Sequence, residues 1–354
     1  MKVLITGGAG FIGSHLADAL IERGDEVYVI DDLSTGSLDN VVHLRGNPRF
    51  HLVVDSVLNE AILNELVNRV DQVYHMAAVV GVKLVVESPV RTLETNIKGT
   101  EIVLQLCHRF NKKVFIASTS EVYGRHHENR PLCENFERIY GPTTVGRWSY
   151  ATSKAIDEFL AFAYHREHGL DVVVARFFNT VGPRQTGAYG MVIPRFVKWA
   201  LGSEPITVYG DGTQSRSFTY VGDAVWAATH LMDCPEAVGE LFNIGNGAEI
   251  SILELAETVK AMTGSKSEIR FVPYESVYGQ DFEDMEFRTP SIEKLSRYTG
   301  YRPTLNLEGI LRRVIAYFEG KESDLARLAG ALGHSNGNGH NGSVPESLVS
   351  SLRG

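Results

Sequence analysis

A chain of 354 residues with 44% hydrophobic residues can bury a sizeable core, as one large domain or two interleaved ones. Its formal charge of −9 argues against nucleic acid or an anionic membrane surface as a partner. Cys107, Cys133 and Cys234 lie far apart and form no CxxC, so neither a disulfide framework nor a metal site is expected, only three inert thiols.

The first apolar run, KVLIT (2–6), reads as a strand, and the glycine-rich turn after it leads into a helical pattern over 11–23. Gly24 stands where a helix C-terminal glycine is expected. Strand candidates follow at EVYVI (26–30), FHLVV (50–54), QVYHM (72–76), KVFIAS (113–118) and DVVVARF (171–177), with helices near 57–69, 88–110 and 148–168 between them. Strand and helix in alternation imply an α/β fold: a Rossmann-type, doubly wound parallel sheet covered on both faces. After about residue 180 glycine and proline punctuate, and helices near 191–201, 251–263 and 306–319 stand further apart. The expected division is a dinucleotide-binding domain over 1–180 and 222–247, and a smaller, interleaved α/β substrate-binding domain over 181–221 and 248–320. From 331 to 354 the chain reads as a solvated, disordered tail, too polar and Gly-rich to fold alone. No window approaches the ~18 consecutive apolar residues of a membrane helix. The apolar part of MKVLITGGAGFIG is too short and interrupted for a signal peptide, so a cytoplasmic protein is expected.

In TGGAGFIG (6–13) Gly7 permits a tight turn and Gly10 lets a pyrophosphate approach the backbone. Gly13 lets the helix pack on the strand, and Phe11 and Ile12 open the helix whose N-terminus faces the phosphates. Asp31 ends the second strand 18 residues past Gly13, where a carboxylate accepts both ribose hydroxyls and repels a phosphate. No arginine follows in DDLSTGS (31–37), so Asp31, Asp32, Ser34, Thr35 and Gly36 favour NAD over NADP. Asp55 and Ser56 end the third strand on the adenine side, although a plain strand-end aspartate competes with that reading. Small residues in Met76-Ala77-Ala78 let the backbone pass beneath the cofactor, and His75 reads as a packed core histidine.

Tyr150-Ala-Thr-Ser-Lys154 opens a helix, and a four-residue step puts both side chains on one face. Tyrosine ionises near pH ~10 unaided. A lysine ammonium and the positive nicotinamide lower that value toward a usable base. The stretch STSEVYGR (118–125) adds Ser118, Thr119, Ser120 and Glu121 at a strand end.

With these motifs the chain resembles the extended short-chain dehydrogenase/reductases of the NAD-dependent epimerase/dehydratase family, which modify nucleotide sugars. The matching stretches are TGGAGFIGSH, TNIKGT, STSEVYG, YATSK, RFFNTVGPRQ, TVYGDGTQSRSF and FRTPSI, within about residues 1–320. The resemblance implies that Asn96 supports the cofactor site and Phe177 lines the nicotinamide pocket. It also implies that Asn179, Val192, Thr207, Tyr209 and Arg216 contact the nucleoside diphosphate. The shared first step is removal of the sugar 4-hydroxyl proton by Tyr150 with hydride transfer from C4. Ser120-Glu121 resembles the UDP-glucuronate decarboxylases and also GDP-mannose 4,6-dehydratase, whose usual use of NADP Asp31 disfavours. The 4-epimerases usually lack this carboxylate, and the dTDP-glucose 4,6-dehydratases carry Asp-Glu. GPTTVGRWSYATSK (141–154) and YGQDFEDMEFRTPS (278–291) resemble segments of the aminoarabinose-pathway decarboxylase, with Arg288 on an arginine implicated in catalysis there. Glu121 or Arg288, through water, is the candidate that returns a proton to C5. Arg184 is the alternative: it resembles an arginine of uronate epimerases and could hold the carboxylate. UDP-glucuronate decarboxylase is therefore the leading expectation. A UDP-glucose or UDP-glucuronate 4-epimerase comes next, then a 4,6-dehydratase. An NAD-sensing protein without activity is the reading from another class, which the retained Tyr150 and Lys154 oppose. Apolar positions along 93–110 and 155–164 suit the four-helix homodimer interface of related enzymes.

Overall fold

The computed structural model describes residues 1–333 except 82–87, 127–129, 189, 274–275, 277–284 and 286; for 147 and 321–333 only the backbone is described. The first half alternates as expected: β1 (Lys2–Thr6), α1 (Phe11–Arg23), β2 (Glu26–Asp31), β3 (Phe50–Val54), α2 (Glu60–Arg69), β4 (Gln72–His75), α3 (Pro89–Arg109), β5 (Lys113–Thr119), α4 (Ser149–His168) and β6 (Val172–Phe177). The elements then shorten: β7 (Thr180–Val181), α5 (Val192–Leu201), β8 (Ile206–Tyr209), β9 (Ser215–Ser217), β10 (Thr219–Tyr220), α6 (Val221–Asp233) and β11 (Glu240–Ile244). β12 (Glu249–Ser251), α7 (Ile252–Met262), β13 (Ile269–Val272), α8 (Glu293–Thr299) and α9 (Leu307–Gly333) complete the chain. Helix α2 starts at residue 60, not 57, because the Asn59 side chain accepts the Ile62 N–H and caps it there. Of the expected tail, 331–333 end α9 and 334–354 lie outside the described residues.

Seven parallel strands form one sheet in the order β11-β6-β5-β4-β1-β2-β3. Side chains alternate across it. Val3, Ile5, Val27 and Val29 face α1 and α6, whereas Leu4, Tyr28 and Ile30 face α2, α3 and α4. Each buried Val, Leu or Ile contributes about 1.5–3 kcal/mol, so both faces must be covered for the sheet to persist. The turn from α1 into β2 closes on Gly24 at φ 101°, the left-handed conformation that glycine adopts without penalty.

A second core forms between α5, α7 and α9, with Ile193, Leu255 and Ile310 among its buried members. Three short strand pairs, β7–β10, β9–β12 and β8–β13, surround it. Leu295 of α8 and Tyr301, from a stretch expected in the smaller unit, pack instead with the sheet core. The chain runs from β1 outward through β2 and β3, then crosses back to β4 on the other side. That reversal opens a crevice at the C-terminal strand ends, where α/β sheets take their ligands.

Candidate active site

A cleft of about 500 Å³ runs from this crevice into the smaller unit. Gly7, at φ 71°, makes the turn after β1; a Cβ there would lie 2.8 Å from the Ala77 backbone. At Gly13 a Cβ would meet the Gly7 carbonyl at 2.2 Å. The first close approach sets the turn against the loop after β4, and the second keeps α1 against the turn after β1. The helix starts at Gly10 without a side-chain cap, so its N-terminus offers its first N–H groups to an anion. Asp31 closes this end. Its Oδ2 accepts the Ala9 N–H at 2.9 Å and its Oδ1 the Leu33 N–H at 2.8 Å. Burial raises its pKa, and the two backbone donors oppose that rise. Such a turn, with a buried carboxylate where a ribose would lie, fits a dinucleotide.

Phe11, Ile12, Asp32, Ser34, Thr35 and Met76 line the cleft, as do Ala77, Ala78, Ser118 and Phe177. Other expected residues support it from behind. Asn96 accepts the Val79 N–H at 2.8 Å and donates to Ser153 Oγ at 3.1 Å, fixing the loop after β4. Gly36 packs on the Asp31 carboxylate. Asp55 does not line the cleft; it accepts from Ser56 N–H at 2.6 Å and Asn59 at 3.0 Å and organises the start of α2. Ser56 opens onto a neighbouring cavity beside Asp32. An arginine does approach Asp32, from α3 and not from the loop: Arg91, at 3.9 Å and exposed.

At the other wall, β5 ends in a short turn over 120–123, capped by Thr119, whose Oγ1 accepts the Glu121 N–H at 3.2 Å. Thr119, Ser120 and Glu121 thereby face the cleft beside Tyr150 and Lys154. Glu121 pairs with Arg288 Nη1 at 2.8 Å, and Arg288 Nη2 bonds the Asn179 carboxamide. Asn179 holds a left-handed φ of 30°, a strained backbone at the junction of the two units. Burial pushes the Tyr150 phenol well above its ordinary pKa, and the Glu121 charge adds to that, opposed by Thr119 and Arg288. Lys154 Nζ donates to Asp157 Oδ2 at 2.7 Å. Ser118 turns its hydroxyl away, donating to Glu158 at 2.5 Å.

Val192, Thr207, Tyr209 and Arg216 line the far end. Sequence reasoning missed Arg195 there. It donates to the Tyr209 hydroxyl at 2.6 Å and lies between the Trp199 and Tyr209 rings, 4.7 and 4.8 Å away. Arg184 is a correction. An ion pair with Asp18 at 2.7 Å holds it against α1, and it does not line the cleft. No group of three metal-ligating side chains occurs among the described residues. Much of the segment 278–291 lies outside the described residues, although Arg288 does not.

The model of the GDP-mannose 4,6 dehydratase family matches residues 4–314. The chain belongs to that family. Among its relatives, a UDP-N-acetyl-alpha-D-glucosaminuronate decarboxylase of Bacillus cytotoxicus is 43% identical over 91% of this chain and 99% of its own length. UDP-glucuronic acid decarboxylase 1 of Arabidopsis thaliana is 40% identical over 91% of this chain and 70% of its own. Among solved structures, UDP-glucuronic acid 4-epimerase from Bacillus cereus, in complex with UDP-glucuronic acid and NAD, superposes with a TM-score of 0.82 at 30% identity, over 90% of this chain and 99% of that one. The expected Rossmann-like parallel sheet and the expected kinship with nucleotide-sugar epimerases, dehydratases and decarboxylases both hold, and the chain is an enzyme of this GDP-mannose 4,6 dehydratase family.

Proposed function

We propose that this enzyme decarboxylates UDP-glucuronate, using NAD, in the cytoplasm and as a homodimer. The observation that carries the reading is the Glu121–Arg288 pair at 2.8 Å, set beside Tyr150 and Thr119 in one cleft. Oxidation at C4 alone does not require that pair. Two decarboxylases of uronate sugars, 43% and 40% identical, support the same reaction.

NAD, when bound, supplies the hydride acceptor for C4. Gly7, Gly10 and the start of α1 hold its pyrophosphate, and Asp31 takes the adenosine ribose and disfavours the extra phosphate of NADP. Tyr150 takes the proton of the 4-hydroxyl, and Thr119 orients that oxygen. With C4 a ketone, the C6 carboxylate is β to a carbonyl. Carbon dioxide leaves, its bonding electrons pass to the 4-oxygen, and Tyr150, Thr119 and Ser120 donate hydrogen bonds to the oxygen that gains charge. Glu121, held by Arg288, directs a water that returns a proton to C5. Arg216, charged and 7% exposed, meets the pyrophosphate of the substrate, with Tyr209 and Thr207 beside it. Asn179 and Val192 complete that end.

Mass spectrometry of products from the pure protein with UDP-glucuronate and NAD tests the reading. Carbon dioxide and a UDP-pentose, or its 4-keto form, are expected. UDP-galacturonate with no carbon dioxide would establish the 4-epimerase instead. In a parallel arm with the N-acetylglucosaminuronate analogue, turnover of that sugar alone would move the substrate to the 2-acetamido series.

A further inference from the structure

Helix α4 carries a second carboxylate, one turn beyond Lys154, that the proposed chemistry does not use. Asp157 is fully buried, and its Oδ2 accepts from Lys154 Nζ at 2.7 Å while Lys154 is itself only 2% exposed. An ion pair at this depth is costly to assemble, because desolvating two charges offsets most of their attraction. Packing alone would be served as well by apolar side chains of similar volume.

The surroundings supply a role. Burial raises the Asp157 pKa; the Lys154 ammonium, and after it Thr100 of α3 beside the carboxylate, oppose that rise and favour the ionised form. Thr100 Oγ1 is 3.0 Å from His75 Nε2, and His75 Nδ1 is 2.8 Å from Thr6 Oγ1. Thr6 Oγ1 also accepts the Ala77 N–H at 3.2 Å. His75 thus bridges Thr6 and Thr100, one ring nitrogen donating and the other accepting. Burial, and then the Lys154 charge, hold His75 neutral, with a pKa of about 3. A neutral hydrogen-bonded chain therefore runs from the ends of β1 and β4, beneath the expected cofactor, to Thr100, which lies beside Asp157. The Asp157 Oδ1 atom is buried there without a hydrogen-bond partner, and Oδ2 meets Lys154.

We propose that Asp157 is a positioning residue that anchors Lys154 against the cofactor side of the cleft and sets the pH at which the Tyr150–Lys154 pair releases a proton. This rests on the reading of Tyr150 as the base. With Asp157 ionised, the fully protonated pair and Asp157 together are electrically neutral, and losing a proton leaves a net negative charge in a buried place. Without the Asp157 charge, the same loss leaves a neutral pair. Proton release from the Tyr150 phenol then occurs at lower pH. The other groups facing Tyr150 are Glu121 and Thr119 from the end of β5 and Arg288 from the segment before α8; they are unchanged in the comparison. Glu158, the acidic neighbour of Asp157, is matched by Arg176 at 2.7 Å.

The test is a spectrophotometric titration of tyrosinate in NAD-loaded protein, with the signal of the matching Tyr150→Phe protein subtracted. Asp157→Asn is expected to bring the midpoint to at least about tenfold higher proton concentration, the scale of one buried charge at this range. An unchanged or higher midpoint, with only a lower melting temperature, would overturn the proposal and leave Asp157 a structural residue. If Asp157→Asn does not fold, Asp157→Ala, in which water can replace the carboxylate, is read in the same way. No sugar enters the titration, so the result stands whether or not UDP-glucuronate is decarboxylated.

Discussion

Tyr150 is the residue on which the proposed chemistry turns, and its neighbours decide when it can act. In the protein without ligands it is held protonated by burial and by Glu121. A positive nicotinamide ring works in the opposite sense, so base strength arrives with the cofactor. Tyr150→Phe should lower kcat by about 10²–10⁴-fold, the range of positioned acid–base groups, with NAD binding retained; equilibrium dialysis and initial rates check both halves. Glu121→Gln removes a negative charge that raises the Tyr150 pKa. The acid limb of kcat/KM for the residual activity should therefore move to lower pH, and a limb moved to higher pH would contradict this assignment of charges. These residues were legible because they come in short motifs: a tyrosine four before a lysine, and a carboxylate at a strand end. Asp157 was not, because an acid three residues past a lysine on a helix reads as an ordinary surface pair. The contact of Arg288 with Glu121 was not legible either. The two are separated by 167 positions, and no local pattern brings them together.

At the scale of elements, the long parallel strands were readable and the short ones were not. Runs such as KVFIAS and VVVARF are apolar because both faces of the sheet are covered, and β5 and β6 fall within two residues of the expected limits. Two-residue strands such as β7 and β10 are too short to carry any periodicity. The knot between α4, β5 and β6 was also invisible in the sequence. Glu158 accepts from Arg176 Nε at 2.8 Å, from Arg176 Nη2 at 2.7 Å and from Ser118 at 2.5 Å, all buried. The guanidinium also lies 4.4 Å from the Tyr123 ring. Glu158→Gln leaves a buried cation without its counter-charge and should cost about 3–5 kcal/mol, read as a lower urea midpoint at unchanged slope. A loss within 0.5 kcal/mol (~ the surface range) would show that the pair is not as dry as its burial implies.

At the scale of the whole molecule, the cleft lies between two separate cores, so closing it does not require either core to deform. On the outside, α4 presents an exposed apolar side chain, Phe159, 59% exposed and covered on one side by Arg138 at 4.6 Å. The proposed homodimer would bury this face. Sedimentation at micromolar concentration should give a dimer, and Phe159→Glu should give a monomer; a wild-type monomer would remove the assembly from the proposal. The Asp31 carboxylate has a bearing on how such an enzyme could change its coenzyme. Both of its oxygens tie down the backbone, one at the turn after β1 and the other at the start of the next loop. Replacing Asp31 to admit a phosphate would therefore also slacken the scaffold that receives the pyrophosphate. An engineer, or natural drift, would need to rebuild the loop in the same step, and single-residue routes from one coenzyme to the other should be poor ones.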